Sequence, residues 1–290
     1  MNIIISTFSL GLIYATLVMG VYITFRILNF ADMTAEGSLT LGGSICAVLI
    51  INNINPILSI FIAGLCGSFS GLITGFLHTK LKIQAILSGI LTMIALYSIN
   101  IRIMGKANLS MLNKNTIFKL IDDSSVSVFV IGLIICTFIL ITLNLFFKTR
   151  LGLAVRATGD NEQMMKSQGV NTDFKKILAL MISNFLCATS GALISQSQGY
   201  SDVNMGAGTI VVALASIVIG EALIKRNSFF LKLISVVLGS IIYRFIIFIV
   251  LSLGMNPSDL KLFTAVIAAV LLALPTIKKN IIGGIHYVKD

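Results

Sequence analysis

Asn29-Phe30-Ala31-Asp32-Met33-Thr34-Ala35-Glu36-Gly37 separates two apolar stretches near the start of a chain built largely of such stretches. Two carboxyl groups at or near bilayer depth are expensive, so an acidic break closed by glycine points to a transport path. The flanking apolar segments are Ile3–Phe25 and the short Gly37–Ile51. The first resembles a secretion signal only superficially. It has no Lys or Arg before its apolar run and no small-residue cleavage site after it, so it is expected to remain as a membrane helix.

Working outward, a helix needs roughly 20 apolar residues to span a bilayer. Further candidates are Ile54–Leu77, Ile83–Ile99, Val126–Phe147, Ile177–Ile194, Phe229–Leu253 and Leu262–Ile277, with a second short segment at Thr209–Leu223. The expected fold is an all-α polytopic membrane protein with about nine crossings, between eight and ten, one or two of them broken or re-entrant. The 290 residues are read as one transmembrane domain. Composition agrees: 57% of residues are hydrophobic and 11% charged, against about 25% charged in soluble domains. No soluble core of this length buries so much apolar side chain.

The net charge of +10 is no nucleic-acid footprint. The basic residues cluster in short connectors, as the positive-inside rule describes. Residues 148–176 carry Lys148, Arg150, Arg156, Lys166, Lys175 and Lys176, which places this loop in the cytoplasm. Counting spans from there puts Lys80/Lys82, Lys225/Arg226 and Lys278/Lys279 inside as well. The nearly uncharged connectors 52–55 and 199–205 fall outside. Only the loop 102–125, basic but partly offset by Asp122 and Asp123, goes against the pattern. The N-terminus is therefore expected outside and the C-terminus in the cytoplasm.

The two short segments share a prelude. Phe30-Ala31-Asp32-Met33 leads to Gly37, and Tyr200-Ser201-Asp202-Val203 leads to Gly206. Paired, glycine-interrupted short segments of opposite topology point to an inverted repeat around a central site. Asn29, Asp32, Thr34, Glu36, Asp202 and Asn204 are thus the candidate pathway residues, with Asp32 and Glu36 on one face if their segment is helical. The competing reading is a pair of wet polar turns. Arg244 lies mid-span, twelve residues past Lys232, too deep to snorkel easily, and is expected to pair with a carboxylate across the bundle. Lys232 itself is expected to snorkel to the interface.

In the cytoplasmic loop, Asp160 is placed to cap a helix with Gln163 three residues on. Met164 and Met165 give that helix an apolar side, and Gly169 suits the left-handed position that ends it. Asn171 or Thr172 then caps the next span. A helix of about nine residues is unstable alone in water, so it docks on a partner or lies on lipid headgroups. Cys46, Cys66, Cys136 and Cys187 are scattered singly in apolar runs, and His78 and His286 stand far apart. No metal site is assigned.

Gly152-Leu153-Ala154-Val155-Arg156-Ala157-Thr158-Gly159-Asp160-Asn161-Glu162-Gln163-Met164-Met165-Lys166-Ser167-Gln168-Gly169-Val170-Asn171 resembles the coupling loop of ATP-binding-cassette (ABC) importer permeases of the branched-chain amino acid and ribose branch. Leu10-Gly11-Leu12-Ile13-Tyr14-Ala15 and Asn29-Phe30-Ala31 resemble the N-terminal pattern of that branch. The stretch from Phe25 to Ser38, with Ile219-Gly220-Glu221-Ala222-Leu223, is similar to a sub-branch in which some members are associated with tryptophan or tyrosine uptake. The resemblance implies a bacterial plasma-membrane permease that works as a dimer. It further implies cytoplasmic ATPase subunits gripping Arg156, Asp160, Glu162, Met164, Met165 and Gly169, and an extracytoplasmic solute-binding protein. The chain has no G-x-x-x-x-G-K-[ST] loop, so ATP is expected in a partner and no cofactor in this chain. The substrate implied is an amino acid, an aromatic one in particular, or a similar small polar solute. A secondary transporter using Asp32 and Glu36 as ion or proton sites is the alternative; it would leave the coupling loop without a task.

Overall fold

The computed structural model describes residues 2–120, 124–224, 228–253, 259, 262–270 and 273. Lys225/Arg226, Asp122/Asp123, Lys278/Lys279 and the C-terminus lie outside the described residues. The elements, in order, are α1 (Asn2–Tyr22), α2 (Thr34–Ile51), α3 (Pro56–Thr79), α4 (Ala85–Met104), β1 (Asn108–Ser110), α5 (Ser124–Phe146), α6 (Arg150–Asp160), α7 (Glu162–Ser167), α8 (Thr172–Gln198), β2 (Tyr200–Asp202), α9 (Thr209–Leu223) and α10 (Phe229–Ser252). Among the described residues, seven helices are long and apolar enough to cross a membrane, and α9 is a shorter apolar helix. Residues 262–270 are helical; the remainder of the ninth expected span lies outside the described residues except for residue 273.

The protein is mostly helical, with one departure from the all-α expectation among the described residues. β1 and β2 form an antiparallel pair with Asn108 opposite Asp202 and Ser110 opposite Tyr200. This clasp holds the connector after α4 beside the connector after α8, at one end of the bundle.

The helices pack as lipid-immersed helices do, with small residues inward and large ones outward. α3 buries Ser59, Ala63, Gly64, Gly67, Ser70, Gly71, Thr74 and Gly75 and exposes Phe61, Phe69, Ile73 and Phe76. α1, α2 and α8 are the most enclosed, whereas α4 and α5 are largely exposed. α2 and α8 cross with their backbones in direct contact. A Cβ at Gly42 would strike the Ala188 carbonyl, and one at Gly191 would strike the Leu39 carbonyl. Hydroxyls then stitch α8 to α1, Ser183 donating to the Gly20 carbonyl at 2.8 Å and Ser190 to the Ile13 carbonyl at 3.0 Å.

α2 packs on α3, α4 and α8, while α9 packs on α1 and α10 and shares an apolar cluster with residues 267 and 268. α3 lies along α8, and α10 lies along α1.

Candidate functional site

The acidic break begins where α1 ends. Its last turn widens into a π-helical segment, Ile23–Ile27, a feature frequent at functional sites. Asn29 then adopts a left-handed conformation, φ 52°, which its short polar side chain tolerates. Its Nδ2 donates to the Gly159 carbonyl of α6 at 3.0 Å, and Gly159 packs so closely on Ile27 that a Cβ would strike the Ile27 carbonyl. The break is thus seated directly on α6, the helix that precedes the predicted coupling helix.

Asp32 is fully buried. One carboxylate oxygen accepts the Thr34 N–H at 2.9 Å, as in an Asx turn, and the other accepts Asn184 Nδ2 from α8 at 2.7 Å. Asn184 Oδ1 in turn accepts from the Ser38 hydroxyl at 2.6 Å, which meets Ser70 of α3. A parallel chain runs from Thr34 to Thr74 at 2.7 Å and on to Thr92 of α4 at 3.0 Å. A buried polar group without a partner is costly, and this network satisfies both Asp32 oxygens while tying the start of α2 to three other helices.

Asp32 and Glu36 do not share a face. α2 begins at Thr34, so Asp32 lies outside the helical period and turns towards α8, whereas Glu36 turns towards α9. Glu36 Oε1 accepts the N–H of Gly208 at 2.9 Å and of Ile210 at 3.4 Å. These belong to the otherwise unsatisfied donors at the start of α9, where a negative charge also complements the helix dipole. Gly206 presses against the Glu36 carbonyl, where a Cβ would clash. The two glycine-bearing breaks therefore meet, joined by a carboxylate whose partner no local pattern in the sequence reveals.

The second break is a chain of turns. Asp202 accepts the Asn204 N–H at 2.7 Å and Asn108 Nδ2 at 3.3 Å. Gly208, at φ 83°, makes the final reversal before α9, a conformation glycine adopts without steric penalty. Asp202 thus belongs to the β-clasp and Asn204 to the cavity described next.

A cavity of about 280 Å³ opens beside this junction, lined by Glu36, Thr40, Tyr97, Asn100 and Asn204 among others. Asn100 is 1% exposed; its Nδ2 reaches the Gly37 carbonyl at 3.4 Å, while its Oδ1 has no partner among the described residues. A second cavity, of about 400 Å³, lies on the other side of the loop and includes Tyr14, Gly208 and Arg244; Ala207 lines both. Arg244 has no carboxylate partner among the described residues. It stacks on the Tyr14 ring, 3.4 Å from its centroid, so the expected ion pair across the bundle is replaced by a cation–π contact.

The loop 148–176 differs from expectation by one residue and one helix. Asp160 ends α6, and Asn161 caps α7 by accepting the Met164 N–H at 3.0 Å. Asn161 takes the role because its backbone is extended, whereas Asp160 is still helical. Gly169 is left-handed at φ 76°, and Asn171 rather than Thr172 caps α8. Met165 is buried and Met164 is 45% exposed. Glu162 bridges Lys176 at 2.7 Å and Lys166 at 2.9 Å. Burial alone would raise its pKa, but the hydrogen bonds and charges of the two lysines hold it down to about 2. Arg156 stacks on the Phe229 ring. Arg26, on the π-helical turn, pairs with Glu221 near the end of α9.

Residues 3–275 match the family described as branched-chain amino acid transport system / permease component. The chain belongs to this family. It is therefore a membrane permease subunit of an ABC importer, not an enzyme, and ATP hydrolysis resides in a separate subunit. Membership goes against the secondary-transporter alternative. The permease is 47% identical to the tyrosine transport system permease protein of Clostridioides difficile, over 94% of this chain and 91% of that protein. It is 30% identical to an uncharacterized protein of Rickettsia prowazekii, over 97% and 99%. Its fold is similar to PsaBC from Streptococcus pneumoniae in complex with Fab, with a TM-score of 0.50, 16% identity, and coverage of 93% and 89%.

Proposed function

We propose that this permease forms the translocation path of an amino-acid importer, with tyrosine or a similar aromatic amino acid as cargo. The observation that carries the reading is the Glu36 junction, where two helix breaks meet over a mainly apolar cavity that carries Glu36, Asn100 and Asn204, at the end of a continuous chain of contacts from α6. Gly159 and Asn29 link α6 to the π-helical turn, Asp32 links that turn to α2 and α8, and Glu36 links α2 to α9. A push on α6 and α7 therefore displaces the cavity wall. Arg156, Asp160, Glu162, Met164, Met165 and Gly169 form the ATPase-facing unit within residues 148–176, where Met164, with Leu151, Leu153 and Phe174, leaves apolar surface free to dock.

The substrate class is supported by the relative described as a tyrosine transport permease and by a cavity that pairs acceptor groups with the Tyr97 ring. Two permease copies, two ATPases and an external solute-binding protein complete the assembly, the whole of residues 1–290 acting as one membrane domain. The end of α1 lies beside α6, which supports an N-terminus on the external face and a cytoplasmic coupling loop. An inverted repeat is supported by matching partnerships: α2 against α8, α3 and α4 corresponds to α9 against α1, α10 and residues 262–270. Radiolabelled tyrosine uptake in cells with and without this chain tests the reading. Tyrosine uptake that depends on the chain, and on ATP, is expected; equal uptake in both cells overturns the substrate.

A further inference from the structure

Arg244 is a guanidinium at membrane depth with no carboxylate partner among the described residues. It sits well inside α10, with its Nε buried and without a hydrogen-bond partner among the described residues. The described carboxylates of the bundle are committed elsewhere: Asp32 to Thr34 and Asn184, Glu36 to α9, and Glu221 to Arg26. Among the described residues, the face of Tyr14 is what balances the charge. An arginine in a membrane interior normally finds an anionic or carbonyl partner, and its planar fork of five donors matches a carboxylate. The cavity of about 400 Å³ in front of it has room for one.

The two cavities that meet at Ala207 are opposite in chemistry. On one side stand acceptors: Glu36, whose Oε1 is the oxygen held by α9, and Asn100 Oδ1, which has no partner among the described residues. On the other stand the donors of Arg244. An amino acid presents an ammonium and a carboxylate to match. We propose that Arg244, steered by Tyr14, is the carboxylate-binding subsite of the translocation path. The proposal rests on the amino-acid reading above and assigns its anionic end.

The test uses the detergent-purified complex of the permease with its ATPase, treated with phenylglyoxal, with labelling of Arg244 and Arg156 read separately by peptide mass spectrometry. Tyrosine is expected to slow labelling of Arg244 several-fold, and tyrosinamide, which lacks the carboxylate, to leave it unchanged. Arg156, on the coupling unit, serves as the internal control and is unaffected by either. In reconstituted uptake, R244Q is expected to lose tenfold or more of tyrosine transport, as befits a lost charge-assisted pair, and R244K to fall between. Equal protection by tyrosinamide, no protection by tyrosine, or an Arg244 that never reacts overturns the assignment. So does protection by phosphatidylglycerol with none by tyrosine, which would assign the site to a lipid headgroup. A wild-type complex that imports tyrosine yet shows no protection refutes only the subsite; one that imports no tyrosine refutes the substrate reading itself.

Discussion

Replacing Glu36 with Ala removes the carboxylate that caps α9 from α2. Two donors, the Gly208 and Ile210 N–H groups, lose their acceptor, and no other residue in the described junction is placed to replace it. Loss of a side-chain cap costs about 0.5–2 kcal/mol, and loss of a charge at a helix N-terminus about 0.3–1 kcal/mol. Because these contributions overlap, about 1–2 kcal/mol is a fair total, equivalent to roughly 5–30-fold in the equilibrium between a docked and an undocked α9. Hydrogen exchange at those two amides in the purified complex reads this directly: E36A is expected to speed both by that factor and to lower uptake in parallel. E36Q keeps an acceptor without the charge, so its effect is smaller in both assays. Unchanged exchange at Gly208 and Ile210 in E36A would refute the capping role, and faster exchange with wild-type uptake would show that the junction is structural and not part of the path.

At Asp32 the effect falls on stability first, because both oxygens are buried and bonded. D32A strands Asn184 and should lower the thermal stability of the purified permease by about 1–3 kcal/mol, with D32N milder; equal melting temperatures for the two variants would contradict the network. Met164 and Met165 should separate cleanly. M164D is expected to abolish substrate-stimulated ATPase activity with the permease still folded, while M165D places a charge in a closed apolar contact and destabilises the permease itself; co-purification with the ATPase and a melting curve distinguish them. The Glu162 carboxyl, held at about 2, stabilises the α7–α8 link above the ordinary carboxylate range and loses that effect as pH falls from about 4.5 towards 2. Wild-type protein should therefore out-melt E162Q steadily from neutral pH down to about 5 and converge with it below, and a gap independent of pH would exclude the ion pair as its source.

Much of this architecture is legible in the chain itself. Hydropathy marks the spans because a bilayer filters residues one segment at a time, and local chemistry marks the turns: Gly169 and Gly208 reverse the chain where a left-handed residue is needed. Legibility ends where the outcome depends on a single residue of register. Asp160 and Asn161 are both good caps, and the extent of α6 decides between them. Asp32 and Glu36 fall on one face only if one helix contains both, whereas α2 starts after Asp32.

The sequence by itself determined a polytopic helical permease with an acidic break, a basic loop and a mid-span arginine, since length, polarity and capping are local properties of the chain. Only the tertiary structure decided what those features touch. The partner of Glu36 lies 172 residues away and that of Asp32 lies 152 away, separations over which no periodicity carries information. The donors that meet a buried carboxylate are chosen by which helices cross at that depth. Those crossings are set by small residues such as Gly42 and Gly191, which permit backbone contact without naming the helix they will meet.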